Sequence, residues 1–138
     1  MLGQSPYKAH IGVFTGLNQA FLVKILGKTQ SGVIIINERK PGQKKSLQEV
    51  KALVEPELLY PVIRGRNIGK WHIKFSHEYI FLPHDEKGQP FEENSFRTTF
   101  PLSYQYFNRF RKELTKRAIH KLWGKGKPFY AVYDIGGY

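Results

Sequence analysis

The sequence predicts an α+β domain, a mainly antiparallel or mixed sheet joined to one long helix towards the C-terminal end. Three observations point there. Short runs rich in branched and aromatic residues, broken by Gly and Asn turns, fill the chain up to Ile36. Trp71-His72-Ile73-Lys74-Phe75 alternates large apolar with polar residues, the period of a half-buried strand. Tyr104, Phe107, Phe110, Leu114 and Ala118 recur every three or four residues, which is one face of a helix.

In order, Ile11–Thr15 reads as a strand, 16–19 as a turn, Ala20–Ile25 as a returning strand and 27–32 as a second turn. Val33–Ile36 is apolar at every position and is expected to be covered on both faces. A charged loop rich in helix and strand breakers runs from Glu38 to Lys45. Ser46, with Glu49 three residues on, offers a capping box for a helix whose apolar face is Leu47, Val50, Leu53 and Val54. After Pro56, a second short helical segment is expected over Glu57–Ile63. Trp71 opens the alternating strand and is expected to anchor the preceding loop from behind, with Tyr79–Leu82 as the strand's neighbour. His84–Asn94 is polar and expected to be a loop. Pro101 suits the first turn of the long helix over 101–118, and Phe129–Tyr133 reads as a last strand. At 138 residues, with no internal repeat and no linker, residues 1–138 form a single domain.

Charge narrows the partner. Lys and Arg total 22 against 11 acids, a formal net charge of +11 spread along the chain. Such a balance favours a polyanion, nucleic acid first and an acidic membrane surface second. There is no Cys, hence no disulfide and no thiolate metal site. With neither a signal peptide nor an apolar run long enough to span a bilayer, a soluble cytoplasmic protein is expected, and no membrane partner.

Catalytic motifs are scarce. Asp occurs only at 85 and 134, so paired-carboxylate chemistry has little to draw on. Glu38-Arg39-Lys40 has the Glu-x-Lys spacing of metal-dependent nucleases, but nothing acidic precedes it. His72, His77 and His84 match no metal-ligand spacing and are expected to be strand and loop histidines. Gly126-Lys127-Pro128 is not a phosphate-binding loop, and no Gly-x-Ser-x-Gly elbow exists. The chain is therefore expected to be non-catalytic, with no metal site. What stands out instead is Arg64-Gly65-Arg66-Asn67-Ile68-Gly69-Lys70, two guanidinium forks, an amide and an ammonium on a glycine-punctuated loop, suited to phosphates or guanine edges. The same residues also suit an ordinary basic, solvated turn. On the long helix, Arg109 and Lys112, with Lys116 and Arg117, lie off the apolar face and form a basic surface for backbone contact.

Gly12-Val13-Phe14-Thr15-Gly16-Leu17-Asn18-Gln19-Ala20-Phe21 resembles the opening of the TaqI-like C-terminal specificity domain, the target-recognition part of adenine-specific DNA methyltransferases and fused restriction-modification enzymes. Glu57-Leu58-Leu59-Tyr60-Pro61-Val62-Ile63-Arg64-Gly65-Arg66-Asn67-Ile68 resembles that family's Pro-Leu-Leu-Arg-Gly-Arg-Asp-Ile marker. Pro101, Tyr104, Arg109 and Lys127-Pro128-Phe129-Tyr130 resemble its later helix and strand, and Ile135-Gly136 sits where the family continues as Ile-Gly-Pro-Tyr. Asn67 stands where an acid is usual and Gly137 where proline is common, and the chain stops before the family's domain does.

The resemblance implies duplex DNA as partner, with Thr15 and Asn18 in a first DNA-facing loop and Arg64, Arg66, Asn67 and Lys70 in a second. It also implies that the chain is a fragment of a larger prokaryotic polypeptide. A methyltransferase catalytic domain of the same polypeptide would carry S-adenosylmethionine and an Asn-Pro-Pro-Tyr-like tetrapeptide, and this sequence has no such tetrapeptide and needs no cofactor of its own. An RNA- or single-strand-binding module is the alternative that charge and aromatic content allow. A small metal-dependent nuclease is the third.

Overall fold

The computed structural model describes residues 12–39, 46–123, 126–133 and 135. A four-residue helix, α1 (Asn18–Phe21), runs directly into β1 (Leu22–Thr29), which turns at Gln30-Ser31 into β2 (Gly32–Asn37). β3 (Lys51–Val54) follows, then a short 3-10 turn at Pro56–Leu58 and β4 (Leu59–Pro61). A second 3-10 turn, Gly65–Asn67, leads into a two-stranded ribbon, β5 (Ile68–Gly69) and β6 (His72–Ile73), and then β7 (Glu78–Phe81). The C-terminal part is helical: α2 (Glu93–Thr99), α3 (Pro101–Arg109), α4 (Arg111–Thr115) and α5 (Ala118–Trp123).

The main sheet has the order β3-β2-β1-β7-β4, antiparallel throughout, so the chain is α+β with an antiparallel sheet. The pairings Val23 with Asn37 and Tyr79, and Val33 with Val54, define an inner face by the two-residue pleat. Against it the helices bring a dense aromatic layer. Phe81 lies 5.2 Å from Tyr106 and 4.7 Å from Phe107 between ring centroids, and Phe96 lies 4.8 Å from Tyr130. Tyr106, buried, satisfies its hydroxyl on the Ala20 carbonyl at 2.7 Å, and burial raises its pKa. The opposite face carries Lys24, Ile34, Ile36 and Glu78, and it is only partly covered.

Several expectations need correcting. Lys51–Val54 is a strand, not a helix: it pairs with Val33–Ile36, and Asn37 takes the place of any helical cap for the segment before it. The Asn37 amide donates to the Gln19 and Gln48 carbonyls, both at 3.1 Å, and its Oδ1 accepts from the Val50 N–H at 2.7 Å. Sheet pairing here overrides a helical periodicity carried by branched residues. Leu59–Pro61 likewise extends as an edge strand, with its proline where an edge tolerates it. Val33 and Ile35 are buried, whereas Ile34 and Ile36 are half-buried, so that run is fully covered on one face only. Phe14 makes a single bridge rather than a strand, and 129–133 forms a turn and an irregular segment. Part of the expected loop at 84–94 is ordered by a His84–Pro90 bridge and by the start of α2, whose Ser95 N–H is capped by Glu92 at 3.0 Å.

The expected long helix over 101–118 is divided into α3 and α4, and only its last residue, Ala118, belongs to α5. Phe110 adopts φ −102° and ψ 12°, and its N–H turns back to the Phe107 carbonyl at 3.0 Å, which tightens the chain between α3 and α4. Leu114 is buried as expected, but Arg117 is buried too and Ala118 is exposed. Pro101 does open α3, where the Glu55 carboxylate accepts from the Leu102 and Ser103 N–H groups at 3.0 and 2.8 Å, a favourable place for an anion. No helix among the described residues is long and apolar enough to cross a membrane. Ile11, the loop 40–45, Gly124, Lys125, Asp134 and 136–138 lie outside the described residues.

Candidate nucleic-acid interface

The Arg-Gly-Arg segment is a rigid turn. Its ends are tied twice, by the Arg64 N–H to Asn67 Oδ1 and by the Asn67 N–H to the Arg64 carbonyl, both at 2.8 Å. Asn67 is thereby buried, and its side chain closes the turn instead of meeting solvent. Arg64 makes a bidentate fork on Glu38, at 3.2 and 3.1 Å, and its Nε lies 3.6 Å from Glu78. Arg66 also pairs with Glu78 but keeps 54% of its side-chain surface exposed. Ser76 adds a hydroxyl to Glu78 at 3.2 Å. Two guanidinium groups thus meet two carboxylates, and the turn is clamped to the partly covered face of the sheet with no net charge.

From this base the β5–β6 ribbon projects. Ile68 pairs with Ile73 and Gly69 with His72, and the Lys74 N–H adds a further rung to the Asn67 carbonyl at 2.7 Å. The pleat puts Ile68 and Ile73 on one face and Gly69 and His72 on the other. The His72 ring covers Gly69 so closely that a Cβ there would lie 2.4 Å from it. The tip is Lys70-Trp71. Trp71 holds φ at 71° and is 93% exposed, so it anchors nothing from behind. Ile68, Ile73 and Phe75 are exposed as well, as are Lys70 and Lys74. The alternation in this stretch is real, but none of its faces is buried.

The first loop is organised differently. Thr15 is buried: its hydroxyl donates to Asn18 Oδ1 at 2.7 Å and accepts from the Leu17 N–H at 3.2 Å, so it shapes the loop and does not face a ligand. Asn18 is exposed. Next to it, Gly16 and Leu17 line an open cleft of about 800 Å³ with residues 46–51 and the α3–α4 surface, whose charged lining mixes Lys51, Arg109 and Lys116 with Glu49 and Glu113. Lys112 is exposed on α4. Arg109 therefore comes together with the first loop, while Arg64, Arg66, Asn67 and Lys70 form a separate group. Exposed Lys24, Lys70, Lys74, Arg109, Lys112 and Lys116 make no ion pair among the described residues.

Arg117, expected on the basic face, is buried instead. Its guanidinium donates to the carbonyls of Thr15, Phe129 (2.6 Å) and Ala131 (2.9 Å), and its Nε to Leu114 at 3.0 Å. Burial pushes its pKa down to about 10. Gly16, at φ 69°, passes against it, and a Cβ there would lie 3.4 Å from Arg117 Cδ. The spacing does hold a signal: Arg117 follows Leu114 by three residues, at the margin of the apolar stripe, whereas Lys116 lies on the opposite side. Beside it His84 is also buried. Its Nε2 accepts from the Val132 N–H at 3.3 Å, its Nδ1 has no partner, and desolvation lowers its pKa to about 4. Among the described residues no group of three or more His, Asp or Glu side chains is placed to hold a metal ion. No family model matches the chain, and neither a curated protein nor a solved structure is found to be similar to it.

Proposed function

We propose that the chain is a duplex-DNA target-recognition domain of an adenine-specific DNA methyltransferase or fused restriction-modification enzyme. It would work beside a catalytic domain of the same polypeptide, which would bind S-adenosylmethionine and transfer the methyl group. The observation that carries the proposal is the neutral, clamped Arg64–Asn67 turn holding out an exposed ribbon that bears Lys70 and Lys74. Rigid presentation of cations on a two-stranded ribbon suits a DNA groove, because the ribbon fits the major groove and the ammonium groups reach phosphates. Arg109, Lys112 and Lys116 would add phosphate contacts without sequence information. Arg66, paired with Glu78 but half exposed, is the fork best placed to exchange its carboxylate for a guanine edge.

A second reading, an RNA- or single-strand-binding module, is favoured by the bare rings of Trp71 and Phe75. Competition separates the two. A labelled duplex bound by the 138-residue chain should be displaced by unlabelled duplex at lower concentration than by single-stranded DNA or RNA of equal length. The reverse order would transfer the assignment to the second reading.

A further inference from the structure

Resting on the DNA-binding reading above, we infer that the ribbon Ile68–Phe75 is a base-stacking probe, with Trp71 as the side chain that lies on a nucleobase face. The ligand class is a base of DNA that is unpaired or displaced from its stack. Lys70 and Lys74 would hold the flanking phosphates, and Ile68 and Ile73 would rest on apolar base or sugar edges.

The placement of Trp71 comes first. Among the described residues it is the most exposed of the large apolar side chains, and it occupies a left-handed backbone conformation that non-glycine residues, and bulky ones above all, adopt only at a cost. A turn needs neither the indole nor the strain, since Gly would take this φ freely. The base of the ribbon is fixed by the Arg64–Asn67 ties and the two carboxylates, so the tip is held out from a rigid support. Its surroundings then select the partner. Lys70 immediately precedes Trp71, while Lys74 and the half-exposed Arg66 lie within the same turn and ribbon, with no acidic residue between Arg64 and His77. An apolar tip flanked by two exposed lysines, Lys70 and Lys74, complements a stacked, polyanionic ligand. Apolar wedges that open base steps work in the same way, trading unstacking for new contact area.

The test uses the 138-residue chain and two duplexes that differ only in one base, paired in one and mispaired 2-aminopurine in the other. The wild type should quench its Trp fluorescence on binding, and Trp71→Phe, which leaves only Trp123 to report, should lose most of that response. Trp71→Leu keeps the apolar bulk but has no ring, and should bind the mispaired duplex roughly 5- to 150-fold more weakly, the range of a lost base–aromatic stack. Trp71→Phe should fall between the two. Trp71→Gly should bind as weakly as Trp71→Leu while its melting temperature stays within a few degrees of wild type or rises, because the strained turn relaxes. None of the three should alter the salt slope, since no charge is removed. Full duplex binding with unchanged affinity and no Trp71 response would overturn the probe and leave the DNA-binding reading standing. Failure to bind any DNA would overturn both. A dimer that Trp71→Leu disperses, or loss of DNA binding only through unfolding of every variant, would assign the patch to a structural contact and overturn the inference.

Discussion

Two regions of the molecule hold arginine in rigid geometry, and they do so in opposite ways. Around Arg117 the guanidinium lies in the interior, and its partners are carbonyls drawn from three separated stretches of chain, Thr15, Leu114 and Phe129–Ala131. It has no carboxylate partner among the described residues. At the Arg64–Asn67 turn the partners are carboxylates, the guanidinium groups are partly solvated, and the turn is a platform for something outside the fold. The difference teaches what the five donors of Arg are used for. Spread over carbonyls, they close a seam between the ends of the chain. Paired with acids, they cancel charge and stiffen a support.

The largest test of this contrast is Arg117→Ala. Three distant carbonyls would lose their donor inside the protein, and the fold should lose about 4 kcal/mol, read as a fall in urea midpoint. Arg117→Lys should restore less than half, because one ammonium cannot span the same acceptors. A loss under about 1 kcal/mol would mean that the seam closes without the guanidinium.

The seam should also be acid-sensitive through His84. Its folded pKa, about 4, lies below the ordinary 6.5 because burial disfavours the imidazolium, with Lys127 and Arg117 adding to the effect and Asp85 opposing it. A depressed folded pKa means that the unfolded chain binds the extra proton, so this contribution is complete above about pH 6.5 and falls away as the pH drops towards 4. The loss should reach about 3 kcal/mol at the lower end. Melting curves of wild type and His84→Gln between pH 7 and 4.5 should converge as the pH falls. Parallel curves would contradict the assignment.

At the platform the effects should be smaller and unequal. Arg64→Ala leaves the Glu38 carboxylate without its fork and should cost about 2 kcal/mol. Arg66→Ala should cost no more than about 0.5 kcal/mol, given its exposure, and weaken DNA binding instead. Equal thermal losses for the two would erase the distinction between support and contact.

Part of this was legible in the residues. The β1–β2 hairpin, the start of α3 at Pro101 and the Arg-Gly-Arg turn announce themselves through branched runs, a proline and glycine punctuation. The strand at Lys51–Val54 does not, because its spacing fits a helix and only pairing with β2 decides the matter. The carbonyls that hold Arg117 lie far along the chain and are hidden for the same reason, whereas Thr15 and Asn67 turn inwards to close local turns on Asn18 and Arg64. For Trp71–Phe75 the alternation suggests a half-buried strand, but periodicity carries no information on whether anything covers the apolar face.

On the proposed reading the ribbon tip, and not the folded seam, meets DNA. This is tested most directly by the salt dependence of duplex binding in wild type and in the double variant Lys70→Ala/Lys74→Ala. With four to six phosphates engaged, the wild-type log–log slope should be about −4 to −5, and the double variant should lose about two units of slope with no change in melting temperature. A wild-type slope near zero, or a double variant that binds duplex with the wild-type slope and affinity, would contradict the account.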